Sequence, residues 1–342
     1  MFVSRLLPLS LLLIGCFAYA QESDFDKSQR NYRENNLDSA LYTIDRAIDL
    51  YTRAGNADSL VFAVTHKALV YASTSGLEDA WQLMRAALGT VDSLPHKSVA
   101  RVAAYTRMGQ LGVQLYDLER ARRYLKKAED AVDKDLPPNR HYVILYHAIA
   151  QLHLSAQDYQ TARHYTQKAF ELNLQVQGRG GALMVNIWQT NYFISYYSGD
   201  YNQALQDGLE FERAVQTHYP ADHANTGMMH NSLSEVYLAL NRHEEALHHQ
   251  HQAVDIHYGN YLETGNGYFL AGAYSNLGGL YYALHEYYLA NEYLTKAQNL
   301  FDAIFDEFGP GMLETLVMLG STKQKLGLAQ GAERSFERAY RL

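Results

Sequence analysis

The chain has 342 residues, 47% hydrophobic and 19% charged, with a formal net charge of −8 and a single cysteine, Cys16. An acidic balance with no basic stripe to neutralise phosphates argues against a nucleic-acid partner. One cysteine rules out an internal disulfide framework, so packing must hold the fold, and the chain is long enough to bury a large core.

Residues 1–20 read as a secretory signal peptide. Arg5 supplies the positive charge, Leu6 to Ile14 is almost wholly apolar, and Ala18-Tyr19-Ala20 has the small-x-small form of a cleavage site before Gln21. The apolar core is too short to span a bilayer. Leu13-Ile14-Gly15-Cys16 resembles a bacterial lipobox and offers a second route, in which Cys16 is lipidated and anchors the chain at the outer membrane. Both routes predict export, to the periplasm or beyond. No later apolar stretch approaches spanning length.

From residue 21 to residue 342 one pattern recurs. Alanine is followed seven residues later by a second small or apolar residue at Ala40/Ala47, Ala80/Ala87, Ala121/Ala128, Ala162/Ala169, Ala204/Phe211, Ala246/Ala253, Ala290/Ala297 and Ala332/Ala339. The leading alanines lie 40, 41, 41, 42, 42, 44 and 42 residues apart, a period that marks a stacked repeat array. Each period holds two helical patterns. In the seventh, Tyr274, Leu277, Gly278, Tyr281 and Tyr282 share one face, and after a polar break Ala290, Tyr293, Leu294 and Ala297 share another. The prediction is helix, tight turn, helix. Twelve residues before the leading alanines stand Ser28, Ala68, Gly109, Ala150, Tyr192, Ser234, Gly278 and Gly320, all small except Tyr192. Sixteen before stand Asp24, Val64, Tyr105, Tyr146, Trp188, His230, Tyr274 and Leu316, bulky after the first. Small residues let paired helices approach, and bulky ones fill the space beside the contact.

The joints agree with this register. Pro95, Pro137, Pro138, Pro220 and Pro310 all fall between one repeat and the next, as expected where helix interiors exclude proline. Gly178-Arg179-Gly180-Gly181 reads as a flexible link between repeats four and five, with no domain boundary expected inside the array. Leu342 follows Ala339 by three residues, leaving the last repeat without a polar cap and predicting a continuing polypeptide or a covering partner.

The Tyr274, Leu277-Gly278, Tyr281, Ala290, Leu294, Ala297 series resembles the tetratricopeptide repeat. The period departs from the usual value of about 34 residues and resembles the long variant of kinesin light chains and many bacterial arrays. The resemblance implies an all-α fold, a right-handed α-solenoid of about eight helix-turn-helix repeats, whose first helices line a concave face. Carried across position by position, the family's contact residues become Thr106, Gln110 and Val113, then His147, Gln151 and Leu154, then Gln189, Phe193 and Tyr196. The later repeats give Asn231, Glu235 and Leu238, then Ser275, Gly279 and Tyr282. This lining is polar and largely uncharged with a few aromatics, suited to an extended peptide, and it lacks the family's lysine-and-asparagine carboxylate clamp. An idle, solvated face is the competing reading of the same residues.

Chemistry is hard to find. His243, His248, His249, His251 and His257 crowd the sixth repeat, but no pair has the four-residue spacing of a helical metal site and no cysteine or carboxylate completes one, so a solvated helix surface is expected. There is no Gly-x-Ser-x-Gly elbow and no phosphate loop. The expectation is a non-enzymatic scaffold, without metal or cofactor, that binds a protein or peptide in an unspecified oligomeric state. The alternative is the recruiting or sensory front of a larger bacterial protein, because long-period arrays of this appearance precede CHAT-type peptidase or histidine kinase domains.

Overall fold

In the computed structural model every period but the second folds as two helices packed as a hairpin, and no strand occurs among the described residues. Those are residues 22–341 apart from 35, 75, 134, 179–180, 306–308 and 310. The leader with Cys16, two residues of the glycine link, Pro310 and Leu342 therefore lie outside them. The chain divides into two compact units, the first ending at Pro137 and the second beginning at Pro138.

The first unit holds α1 (Asp24–Arg33), α2 (Leu37–Arg53), α3 (Ala57–Thr74), α4 (Leu77–Ala86), α5 (Leu88–Ser93), α6 (Val99–Gln114) and α7 (Leu118–Asp130). The second holds five hairpins. They are α8 (Arg140–Ser155) with α9 (Tyr159–Val176), α10 (Leu183–Tyr197) with α11 (Tyr201–His218), α12 (Ala224–Ala239) with α13 (His243–Thr264), α14 (Tyr268–Ala283) with α15 (Tyr287–Ile304), and α16 (Met312–Lys325) with α17 (Ala329–Arg341). The four described joint prolines sit outside helices, between successive hairpins.

One turn design closes most hairpins. Five residues before the leading alanine a residue takes the left-handed conformation: Tyr116, Gln157, Gly199, Asn241, His285 and Gly327. The next N–H then reaches back to the fifth carbonyl, as from Asp117 to Gly112 (2.9 Å) and Asp158 to His153 (2.8 Å). This is the Schellman closure of a helix end. The same aspartates cap the second helix, Asp117, Asp158 and Asp200 accepting from the N–H groups of Arg120, Thr161 and Gln203. Two helices are thus ended and started by adjacent residues.

The alanine pairs lie where the paired helices touch, and all the leading alanines are buried. Opposite them the small residues do as expected. A Cβ added to Gly109 would lie 2.4 Å from Leu125 Cγ, and one on Gly278 would lie 2.6 Å from Leu294 Cγ. Where serine replaces glycine, its hydroxyl donates to the leading alanine's carbonyl, Ser28 to Ala40 at 2.7 Å and Ser234 to Ala246 at 2.9 Å. Tyr192 breaks the size rule and faces Gly208 on the paired helix, where a Cβ would lie 3.1 Å from Leu233 Cδ2 and 3.5 Å from the Tyr192 ring, so a longer side chain there would compete with both. The second repeat departs from the pattern: its second helix is interrupted at Ala87, between α4 and α5, and Ala87 is only partly buried. Gly89 and Thr90, weak helix formers, follow the break.

Within three hairpins the bulky first-helix residues meet aromatics of the second helix. Tyr105 packs on Tyr124, Tyr146 on Tyr165, and Tyr274 on Tyr293, with ring centres 6.1, 6.2 and 5.8 Å apart. A lysine one turn further covers each pair: Lys127, Lys168 and Lys296 stand 5.2, 3.8 and 5.8 Å from the Tyr105, Tyr146 and Tyr274 rings. These cation–π contacts supply the tyrosine faces with partners from the chain itself. No helix among the described residues is long and apolar enough to cross a membrane.

Candidate functional site

Three of the expected lining residues converge in the second unit. Helix α10 carries Asn-Tyr-Phe-Ile-Ser-Tyr-Tyr at its C-terminal end, and helical spacing puts Tyr192, Phe193, Tyr196 and Tyr197 on neighbouring turns. Tyr192 stacks on Tyr196 (5.7 Å), Phe193 on Tyr197 (5.9 Å), and Tyr196 meets Tyr197 edge-on (5.6 Å). Tyr201 of α11 closes the cluster against Tyr196 at 5.5 Å. Tyr192 is fully buried, whereas Tyr197 is 58% exposed, so the cluster runs from core to solvent.

Glu235 of α12 stands against these rings. The Tyr192 hydroxyl donates to the Ser232 carbonyl at 2.7 Å and lies 3.4 Å from Glu235 Oε2. Asn276 Nδ2 of α14 reaches Oε1 at 3.5 Å. No lysine, arginine or histidine among the described residues pairs with this carboxylate. Loss of water pushes its pKa up to about 7, with the Tyr192 hydroxyl acting weakly the other way. The same burial, with the Glu235 charge adding to it, raises Tyr196 to about 12 and pushes Tyr192 and Tyr197 upward.

The other expected residues divide into those the fold uses and those it leaves open. His147 is buried, and its Nε2 bonds the Thr190 hydroxyl (2.9 Å) and the Asn186 carbonyl (3.1 Å), tying α8 to α10. Asn231 accepts from Gln250 Nε2 (2.8 Å), which also donates to the Ala273 carbonyl (3.0 Å). Ser275 pairs with Thr315 at 2.8 Å, and Tyr282 packs edge-on against Tyr287 at 5.5 Å. Gln151 and Gln189 are partly buried on α8 and α10. Tyr197 and Asn276 were not on the expected lining, and both contribute to the Glu235 site.

In the first unit Thr106 and Gln110 bracket an arginine that the sequence reading passed over. Arg107 interrupts the apolar run of α6, and its Nε is buried without a hydrogen-bond partner. Thr106 Oγ1, Gln110 Oε1 and His66 Nε2 on α3 are also buried and unpartnered. Burial lowers the Arg107 pKa to about 10, with Tyr32 of α1 opposing the shift. Burial also lowers His66 to about 4, the carbonyl of Ser28 opposing and Arg107 reinforcing. An arginine inside the otherwise apolar stretch from Val102 to Met108 was the available signal.

In the histidine group of α13, His243, His248 and His251 are exposed as expected, whereas His249 is half-buried and His257 buried. His257 is buried against Phe269, ring centres 5.6 Å apart, in space left by Gly227, and neither ring nitrogen has a partner. His249 meets His230 of α12, Nδ1 to Nδ1 at 2.9 Å, at the edge of a cavity of about 560 Å³ that Glu212, Tyr219, Gln252 and Asp255 also line. Among the described residues no three His, Cys, Asp or Glu side chains form a metal-binding group.

Comparison with known proteins fits this geometry. Residues 269–342 match the tetratricopeptide repeat family model. The sequence matches no curated protein. A Rap protein complexed with competence and sporulation factor superimposes with a TM-score of 0.62 at 13% identity, over 83% of this chain and 76% of that one. BtubC (BKLC) from P. vanneervenii gives 0.54 at 16% identity, over 65% and 91%. A tetratricopeptide repeat protein from Parabacteroides merdae gives 0.50 at 14% identity, over 88% and 98%. At these identities the likeness is one of fold.

Proposed function

We propose that this tetratricopeptide-like repeat protein is a scaffold that binds a protein or peptide partner on its first-helix faces, with the tyrosine–Glu235 site of the second unit as the principal contact. The observation that carries the reading is the convergence of Phe193, Tyr196, Tyr197 and Glu235 on one surface, rings partly in solvent and a carboxylate without a counter-ion. Rigid aromatics next to a buried polar group are what a recognition anchor needs. The unpartnered Arg107, Thr106 and Gln110 groups of the first unit favour a polar partner there as well. That a Rap protein of similar fold is seen with a bound factor supports the reading by analogy.

The test is the triple replacement of Gln189, Phe193 and Tyr196 by alanine. Capture of the native partner is expected to be lost while the helical signal at the assay temperature is retained. Undiminished capture contradicts the reading. We further propose that the protein acts after export, on the strength of Arg5, the apolar run to Ile14 and Ala18-Tyr19-Ala20. Mass spectrometry of the mature amino terminus checks this: cleavage before Gln21 supports simple secretion, a lipidated Cys16 supports the anchored form, and an intact Met1 excludes both.

A further inference from the structure

Resting on the proposed binding face, we infer that Glu235 is the receptor for a cationic side chain of the bound polypeptide, a lysine ammonium or arginine guanidinium held by the carboxylate and walled by the Tyr192, Tyr196 and Tyr197 rings. Three observations lead there. The two contacts to the carboxylate, from Tyr192 at 3.4 Å and Asn276 at 3.5 Å, lie at the long limit for hydrogen bonds. Both oxygens keep lone pairs for a stronger donor. The tyrosine rings beside it also lack a cation. Several tyrosines elsewhere are covered by the chain's own lysines and arginines, Lys168 over Tyr146 at 3.8 Å and Arg242 over Tyr237 at 4.6 Å, but none among the described residues covers Tyr192, Tyr196 or Tyr197. And Tyr197 opens the cluster to solvent, so an extended side chain can enter.

A carboxylate plus aromatic faces is the complement of one chemical group. The carboxylate supplies charge, and the rings supply a negative quadrupole with apolar walls for a side-chain stem. An anionic or purely apolar group would cover the half-buried Glu235 and leave it unpaired, which is unfavourable. Burial already biases the carboxyl toward its neutral form, and a cation reverses that bias, so binding releases a proton. The groups facing Glu235 are Tyr192, Tyr196 and Tyr197 of α10 and Asn276 of α14. The phenols titrate well above neutrality, so affinity should rise with pH as Glu235 ionises.

Calorimetric titration of the full chain tests the inference, using acetyl-Gly-Gly-Arg-Gly-Gly-amide, its lysine counterpart, the neutral citrulline counterpart, and methylguanidinium alone. At least one cationic peptide should bind saturably, about tenfold or more tighter than the citrulline peptide and than methylguanidinium. Glu235→Gln, an isostere that keeps the hydrogen bonds, should lose about tenfold or more, and affinity should increase from about pH 6 to about pH 8. Tyr197→Leu should weaken the cationic peptide and leave the citrulline peptide unchanged. Equal binding of the citrulline peptide, an unaffected Glu235→Gln variant or no saturation overturns the inference. Methylguanidinium binding as tightly as the peptide overturns the polypeptide source in favour of free cations. The two readings separate cleanly. If the triple alanine variant loses its partner but Glu235→Gln changes no cation binding, the binding face stands and this inference falls. If Glu235→Gln abolishes peptide binding while the triple variant keeps its partner, the cation site stands and the face is not where the partner docks.

Discussion

In the hairpin α6–α7 the first helix gives up its side chain at Gly109 and the second fills the gap with Leu125; in α10–α11 the first helix supplies Tyr192 and the second gives way at Gly208. Both arrangements fill the same register with one large and one small residue, so for packing they are alternatives. They differ in what reaches the first-helix face. Leu125 brings nothing polar, and the face beside Gly109 carries the unpartnered Arg107. Tyr192 brings a hydroxyl through the core to Ser232 and Glu235. An exchange of volume thus places a phenol next to a carboxylate, and the two units differ in the sign of the half-buried ionisable group on that face, Arg107 in the first and Glu235 in the second.

The largest expected effect reverses that exchange. Tyr192→Gly should cost about 4 kcal/mol in urea unfolding, the loss of a buried ring. Adding Gly208→Leu, which restores the α6–α7 arrangement, should recover about 2 kcal/mol or more. Strictly additive losses would show that the two positions do not share one space.

The buried charges make the next comparison. Glu235 has a folded pKa of about 7, above its unfolded value, so the folded state holds the extra proton. The associated stability is full below the unfolded pKa and lost as pH rises through about 7, up to about 3 kcal/mol. Glu235→Gln should therefore match the wild type near about pH 4 and exceed it by about 3 kcal/mol near about pH 8 in thermal melts. Arg107 stays charged throughout this range, its pKa lowered only to about 10. Arg107→Met should raise stability by about 1–2 kcal/mol at both pH values, since it removes a half-buried arginine whose Nε is buried without a hydrogen-bond partner. A pH-dependent gain for Arg107→Met, or a flat one for Glu235→Gln, breaks the contrast.

The smallest effect lies in the turns of the same two hairpins. Tyr116 and Gly199 both adopt the left-handed conformation, at φ of 57° and 82°. Tyr116→Gly should stabilise by about 1 kcal/mol and Gly199→Ala should destabilise by a similar amount, read from unfolding midpoints.

The hairpins, their register and the all-α fold were legible in the residues because helix crossing turns residue size into a linear pattern, as at Gly278 opposite Leu294. Phe193, Tyr196 and Glu235 were named through the resemblance to the tetratricopeptide repeat, whose contact positions fall on them in that register. Tyr197 and Asn276 were not, because they reach the site from adjacent positions and from another hairpin. Arg107 lay one residue beyond Thr106 and was passed over when only fixed positions were read. His257 appeared solvated along α13 because its burial depends on Gly227 of a different helix. The interruption at Ala87 has no signature in the alanine spacing, which counts residues and not helical continuity.

The central claim is that the partner rests on the first-helix face at the tyrosine–Glu235 site. A photo-crosslinking side chain placed at Phe193, and in a second protein at Tyr288, which is 84% exposed on the second helix α15, tests it most directly. In the native host a crosslinked partner is expected from position 193, lost on adding Glu235→Gln, and none from position 288. Crosslinking to the same partner from position 288 and not from 193 would contradict it.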